Sequence, residues 1–324
     1  MSRIRFGIEL PNTMPWPELR VAALAMDKQR WRGLWTYDHL MPCTAEELPL
    51  IVNSVQECEE GPIFEGWSLL AALASITERV RLGTMVTSAT MRHPALLCKI
   101  AITVDHISSG RVDLGLGTGW HEHEHQAFGI RLGGLKTRCD RFEESAALIN
   151  RLLNGPYPIS WEGKFFHLEN APFAPTPIQK PLPLLLAGGG EKRILPTVAK
   201  YGNGCNLYVN MFSSLEEAKH KLEVLQRLCE ENGRDFAQIR KTVTMYADIV
   251  DDEQEAHRVR RFMGQHLYDE EADALPFGSP QRIIDAIEPL VDLGIDEVIF
   301  NGPYPSPERL ARLDSEVLSA FDSI

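Results

Sequence analysis

The 324-residue chain reads as an α/β protein, a single (β/α)8 barrel spanning residues 1–324. Three observations predict this. Short strand-like runs alternate with helix-like segments through the whole chain, the pattern of repeated βα units. The length suits one barrel, which typically needs roughly 250 residues, and no Gly/Ser-rich linker divides it. The unusual residues also cluster where strands end, which is where such a barrel carries its chemistry. A doubly wound open sheet is the alternative that pattern alone leaves open.

The first strand is predicted at 4–9, followed by a helical pattern over 17–29. The second lies at 33–37 and, after a long polar loop, leads to a helix over 65–77. The third, at 80–84, precedes a helix opening at Pro94, where the missing proline N–H costs nothing. The fourth, at 112–116, precedes a helix over about 138–153. Residues 155–183 then break the repeat with seven prolines (Pro156, Pro158, Pro172, Pro175, Pro177, Pro181, Pro183) and short alternating runs, Ile159-Ser160-Trp161 and Phe165-Phe166-His167. This is read as a hairpin-bearing insertion between helix four and strand five, either a proline-stiffened connection or a lid. The second half resumes with strands at 182–187, 205–209, 241–249 and 297–301. Helices are predicted at 192–201, 215–232, 252–266, 280–293 and 307–321.

Composition narrows the function. The chain is 44% hydrophobic, which excludes general disorder, and 33 basic against 45 acidic residues give a net charge of −12. An acidic surface repels phosphate backbones, so nucleic acid is not an expected partner. No basic amphipathic helix points to a membrane surface, and apolar runs such as 67–76 are too short to span a bilayer. The six cysteines (Cys43, Cys58, Cys98, Cys139, Cys205, Cys229) are scattered without a Cys-x-x-Cys pair, as expected of reduced thiols. The first residues enter a strand pattern at once, leaving no room for a signal peptide, so a cytoplasmic protein is expected.

At the strand ends stand Glu9, Asp38-His39, Met85-Val86-Thr87, Gly117-Thr118-Gly119-Trp120-His121, Gly188-Gly189-Gly190 and Asn301-Gly302. The triple glycine runs directly from a strand into a helix, where bare backbone N–H groups can approach an anion, with Arg193 adding a charge. A tight turn that binds nothing is the plainer alternative. Asp113, Gly115 and Gly117 share one strand face, which leaves space for something flat or for a packed bend. Gly115-Leu116-Gly117-Thr118-Gly119 is not a dinucleotide fingerprint, because the third glycine would fall at Trp120. His121-Glu122-His123-Glu124-His125 invites a metal, yet no outside ligand stands out, so a polar pocket edge with His121 and Glu122 lining the site is expected instead. A histidine at a strand tip, His39, can bond a substrate and exchange protons near neutral pH.

These segments resemble the bacterial luciferase-like monooxygenase superfamily, and within it the branch using the deazaflavin coenzyme F420. The resemblance runs nearly end to end. It is carried by Trp35-Thr36-Tyr37-Asp38-His39, Arg81-Leu82-Gly83-Thr84-Met85-Val86-Thr87 with Arg92-His93-Pro94, and Asp105-His106-Ile107-Ser108-Ser109-Gly110-Arg111. It continues in Gly115–Glu122, Pro177-Ile178-Gln179-Lys180-Pro181 and the glycine turn. The resemblance implies a luciferase-like TIM barrel that transfers a hydride between F420 and a small organic substrate. The alternative it carries is an FMN-dependent monooxygenase using reduced FMN and oxygen. It implies ring contacts from Asp38, Thr118 and Gly119 against a strand-three bulge, with a non-prolyl cis peptide mapping to Met85–Val86. Gly188, Gly189 and Gly190 would hold the phosphate. His39 would move the proton, with Asp38 orienting it. Glu9, Trp120, His121 and Glu122 would line the substrate pocket. Trp120 stands where some F420-dependent sugar-phosphate dehydrogenases carry Glu; with Trp16, Phe64 and Trp67 it implies a hydrophobic substrate. The resemblance also implies a homodimer, formed through the apolar helices 65–77 and 94–107, and a separate reductase supplying reduced cofactor.

Overall fold

The computed structural model describes residues 4–42, 62–209, 214–263, 272–301 and 305–322. Eight parallel strands close into a barrel: β1 (Arg5–Leu10), β2 (Gly33–Thr36), β3 (Arg81–Thr84), β4 (Val112–Gly117), β5 (Leu184–Ala187), β6 (Gly204–Val209), β7 (Arg240–Tyr246) and β8 (Glu297–Asn301). Strand β1 closes the ring by pairing with both β2 and β8. The open-sheet alternative is thereby excluded. Every predicted strand is present within about two residues, except that the seventh splits at Ala247 into β7 and a short piece, Asp248–Ile249.

Period-two alternation divides each strand between two cores. The outward set, including Leu34, Leu82, Leu114 and Val298, packs against the surrounding helices in one continuous cluster. The inward set fills the bore with Trp35, Met85, Leu185 and Ile299. Trp35 is buried and its indole N–H donates to Glu297 at 3.3 Å. Gly83 faces it, and a Cβ there would collide with the indole ring. Below the indole, Asp113 accepts from Arg81 at 2.9 Å and from Arg240 at 3.2 Å. This ionic plug blocks the amino-terminal end of the bore, so any ligand must enter at the carboxyl ends.

The insertion contains the expected hairpin, Ile159–Glu162 paired antiparallel with His167–Ala171. Its partners lie on the outer wall. Glu144 accepts the Phe165 and Phe166 N–H groups at 3.0 Å, and Phe166 meets His93 edge-on. Further along, Asp105 accepts from Ile178 N–H and from the Gln179 side chain. The segment is therefore a strap across the helices Pro94–Ile107 and Leu135–Asn154, the connection rather than the lid. The helix expected over 252–266 runs Glu253–Met263, and 264–271 lie outside the described residues.

Candidate active site

Glu9 ends the inward row of β1 at the barrel mouth, level with Trp35. It is buried in the barrel. Burial pushes its pKa well above the ordinary value, with the Tyr37 side chain opposing only in part. Burial likewise pushes Tyr208 up, and the Glu9 charge adds to it. Desolvation thus favours the protonated form of Glu9. A group with a raised folded pKa contributes stability below its unfolded value near 4.5, and that contribution is lost as pH rises through the folded value. Glu9→Gln is therefore expected to be more stable than the parent at pH 8, with the gap shrinking towards pH 5. Urea midpoints at the two values check this, and a gap independent of pH would refute it.

The end of β2 is fastened by Asn12, whose amide donates to the carbonyls of Tyr37 at 2.7 Å and Phe64 at 2.9 Å. Asp38 does not orient His39, as the sequence led us to expect. Its two oxygens are held bidentately by Arg92 at 2.6 and 2.9 Å, and Arg92 also binds Glu65, the N-cap of the helix Gly66–Ile76. A fork-shaped guanidinium matches a carboxylate better than an imidazole does, and it takes both oxygens. Burial opposes the Arg92 charge, but Asp38 and Glu65 outweigh it and raise its pKa. Asp38 is therefore an anchor for the strand end rather than a free site group. The partner of His39 is Glu124, with Nδ1 lying 3.2 Å from both carboxylate oxygens.

Met85 and Val86 form the expected bulge after β3, joined by a non-prolyl cis peptide. The small face of β4 serves this bulge. A Cβ on Gly117 would lie 2.6 Å from Val86 Cγ2, and one on Gly115 would run into the Thr84 carbonyl. Of the two readings of that face, the packed bend is the one observed. Trp67 supports the bulge from outside: its indole N–H donates to Thr87 Oγ1 at 2.8 Å, and it is buried in the outer core. It therefore lines no pocket. Trp16 packs on the same core, whereas Phe64 is exposed.

After β4 the chain turns at Gly119, whose φ of +82° favours glycine, with Thr118 half-buried beside it. The histidine-rich run, expected as a polar pocket edge, forms a short helix, Glu122–Ala127. His121 is its N-cap: Nδ1 accepts the Glu124 N–H at 3.1 Å. His121 is buried beside His39, with ring centroids 5.6 Å apart. Glu122 is exposed and lies within reach of Gln126 on its own helix, so the expected pair His121 and Glu122 is replaced by His121 and Glu124. The sequence held a usable signal, since a cap residue followed three positions later by Glu is capping-box spacing. Trp120 is 42% exposed and packs edge-on against His39 at 5.5 Å and His121 at 4.9 Å.

At the end of β5, Gly188 already donates its N–H to the Asn206 carbonyl at 3.0 Å. Gly189 and Gly190 follow it and lead into the helix Ile194–Tyr201. Arg193 is not the cation expected here, because Asp140 and Glu143 hold it. Lys221 also lies beside the turn: a Cβ on Gly189 would lie 3.6 Å from its Cε, and its ammonium pairs with Glu191 as Arg193 does with Asp140 and Glu143.

A family model described as luciferase-like monooxygenase matches residues 4–277. The chain belongs to the luciferase-like monooxygenase family. Among its relatives in that family, the F420-dependent glucose-6-phosphate dehydrogenase of Amycolatopsis mediterranei is 26% identical over 88% of this chain and 89% of its own. An F420-dependent secondary alcohol dehydrogenase, solved with an F420-acetone adduct, superposes with a TM-score of 0.80 at 18% identity, covering 97% of each chain. The F420-dependent tetrahydromethanopterin reductase of Methanopyrus kandleri gives 0.78 at 18% identity, covering 99% of this chain and 100% of that one. These structures share the luciferase-like barrel fold. Among the described residues no helix is long and apolar enough to cross a membrane.

Proposed function

We propose that the chain is an F420-dependent oxidoreductase acting on a small hydrophobic organic substrate. One observation carries this: a buried acid whose pKa burial raises, Glu9, and a carboxylate-backed histidine, His39, both stand at the carboxyl ends of the strands. A buried acid favoured in its protonated form and a carboxylate-bonded histidine, both at these strand ends, offer one group for proton delivery and one for uptake. The curated relative named for F420 over most of this chain's length supports the choice of cofactor.

The residues present fit a deazaflavin. Gly189 and Gly190 offer backbone N–H groups, with Lys221 alongside, to an anionic tail. Met85, Val86, Thr118 and Gly119 would carry the ring. Bound there, the deazaflavin would supply hydride chemistry. His39 takes or returns the substrate proton at Nε2, the nitrogen left free by Glu124. Glu9 donates a hydrogen bond from the floor to a polar substrate atom. Trp120 offers an apolar surface where a sugar-phosphate enzyme would need a charge, and it screens His39 from water.

In the same reading the chain acts as one cytoplasmic domain. It receives reduced cofactor from a separate reductase and touches neither nucleic acid nor membrane. It also pairs as a homodimer through the helices Gly66–Ile76 and Pro94–Ile107, the latter carrying exposed Leu96 and Ile107. A monomeric mass by light scattering at micromolar concentration would count against the dimer. The function is tested by titrating purified protein with F420 and with FMN. Low-micromolar binding of F420 alone is expected. Binding of FMN alone, with oxygen consumed once it is reduced, would replace the proposal with a monooxygenase.

A further inference from the structure

Behind His39 stands a carboxylate with no solvent exposure. Both oxygens of Glu124 lie 3.2 Å from His39 Nδ1, and Oε1 also accepts the Leu40 N–H. A carboxylate has no proton to give, so the hydrogen must sit on Nδ1 and the lone pair of a neutral imidazole on Nε2. His121 does not compete for this place, because its Nδ1 already accepts the Glu124 N–H and stands 3.9 Å from the carboxylate.

We propose that Glu124 is a positioning residue that fixes His39 as the Nδ1–H tautomer and readies Nε2 to accept a proton. This rests on the assignment of His39 as the proton-moving group of the F420 site. The geometry is that of an imidazole oriented by a buried acid. The groups facing the pair come from several elements. The rings of Trp120 and His121 lie 5.5 and 5.6 Å from His39, and the Leu40 N–H points at Glu124. Asp38, adjacent in the chain, is neutralised by Arg92, which Glu65 also holds. Burial works against the Glu124 anion, but the bond and charge of His39, with Leu40 N–H and His121, hold its carboxyl below the usual range. Donor atoms of His39, His121 and Glu124 also lie within 4.8 Å of one another. The lone pair of His121 Nδ1 and both Glu124 oxygens are already engaged in hydrogen bonds, so the trio is read as a bonded dyad with a neighbour.

The test needs no substrate. Long-range 1H–15N spectra of the full-length protein, with His39 assigned through His39→Gln, report the tautomer directly. Wild type should show Nδ1–H. In Glu124→Gln the neutral amide binds Nδ1–H more weakly than a carboxylate and can instead turn its NH2 to a lone pair on Nδ1, so the excess of Nδ1–H should fall several-fold. Glu124→Asp should recover part of that excess, which a purely structural role would not predict. An Nε2–H ring in wild type overturns the proposal even if the variants fail to fold. Stoichiometric Zn2+ that shifts both His39 and His121, and no longer does so in Glu124→Gln, overturns it as well. Titration with F420 separates the two claims. Absence of F420 binding with an Nδ1–H ring defeats the functional assignment alone. F420 binding with an Nε2–H ring defeats the positioning role alone.

Discussion

His39→Ala is expected to lower turnover by roughly 10²–10⁴-fold while leaving F420 affinity within a few-fold of the parent, the signature of a lost proton-transfer group. The His39 ring touches Trp120 and His121 by its edges and Glu124 through Nδ1, and neither the glycine turn nor the Met85–Val86 bulge proposed to hold F420 is among these contacts. The loss should therefore fall on kcat rather than on the dissociation constant. Fluorescence titration with F420 and initial rates on a panel of secondary alcohols and enones would check the two arms. Equal loss of affinity and rate, or no loss in either, would remove His39 from the chemistry. Turnover of phosphosugars but of none of the panel would overturn the hydrophobic substrate inferred from Trp120.

The second large effect lies at the opposite end of the bore. Asp113→Ala should cost about 3 kcal/mol, near the lower end for breaking a buried pair because Arg81 is partly exposed. Two guanidinium groups would then face each other without their shared anion. Burial alone would raise the Asp113 pKa, but Arg240 and Arg81 overcome it and hold it low. Its contribution is therefore present above the unfolded value of about 3.8 and is lost as pH falls through the lower folded one. Thermal melts should show a fall of roughly 4–5 °C at pH 7, narrowing in acid. An unchanged melting temperature would mean that the plug contributes nothing to closing the barrel.

Local signals served well where one residue or one period decides the outcome. The eight strands followed from alternation, the helix at Pro94 from the missing proline N–H, and the bulge at Met85–Val86 from a motif. Pairwise choices were less legible. Asp38 and Glu124 are both acids near His39, and the adjacent one looked the natural partner. The fold brings Arg92 to Asp38 and carries Glu124 across from the end of β4. Arg193 is drawn from its expected role in the same way, because helix Leu135–Asn154 supplies two carboxylates to it.

The order of elements, the end of the barrel that holds the chemistry and the residue types gathered there are properties of the chain itself, since each rests on spacing along it. Which acid meets which base is a property of the closed barrel. Loops following different strands converge on one rim, and a charged side chain takes whichever partner packing places within about 3 Å. Desolvation also belongs to the tertiary structure alone: Glu9 is an ordinary carboxylate in the extended chain, and its pKa rises only when the barrel excludes water around it.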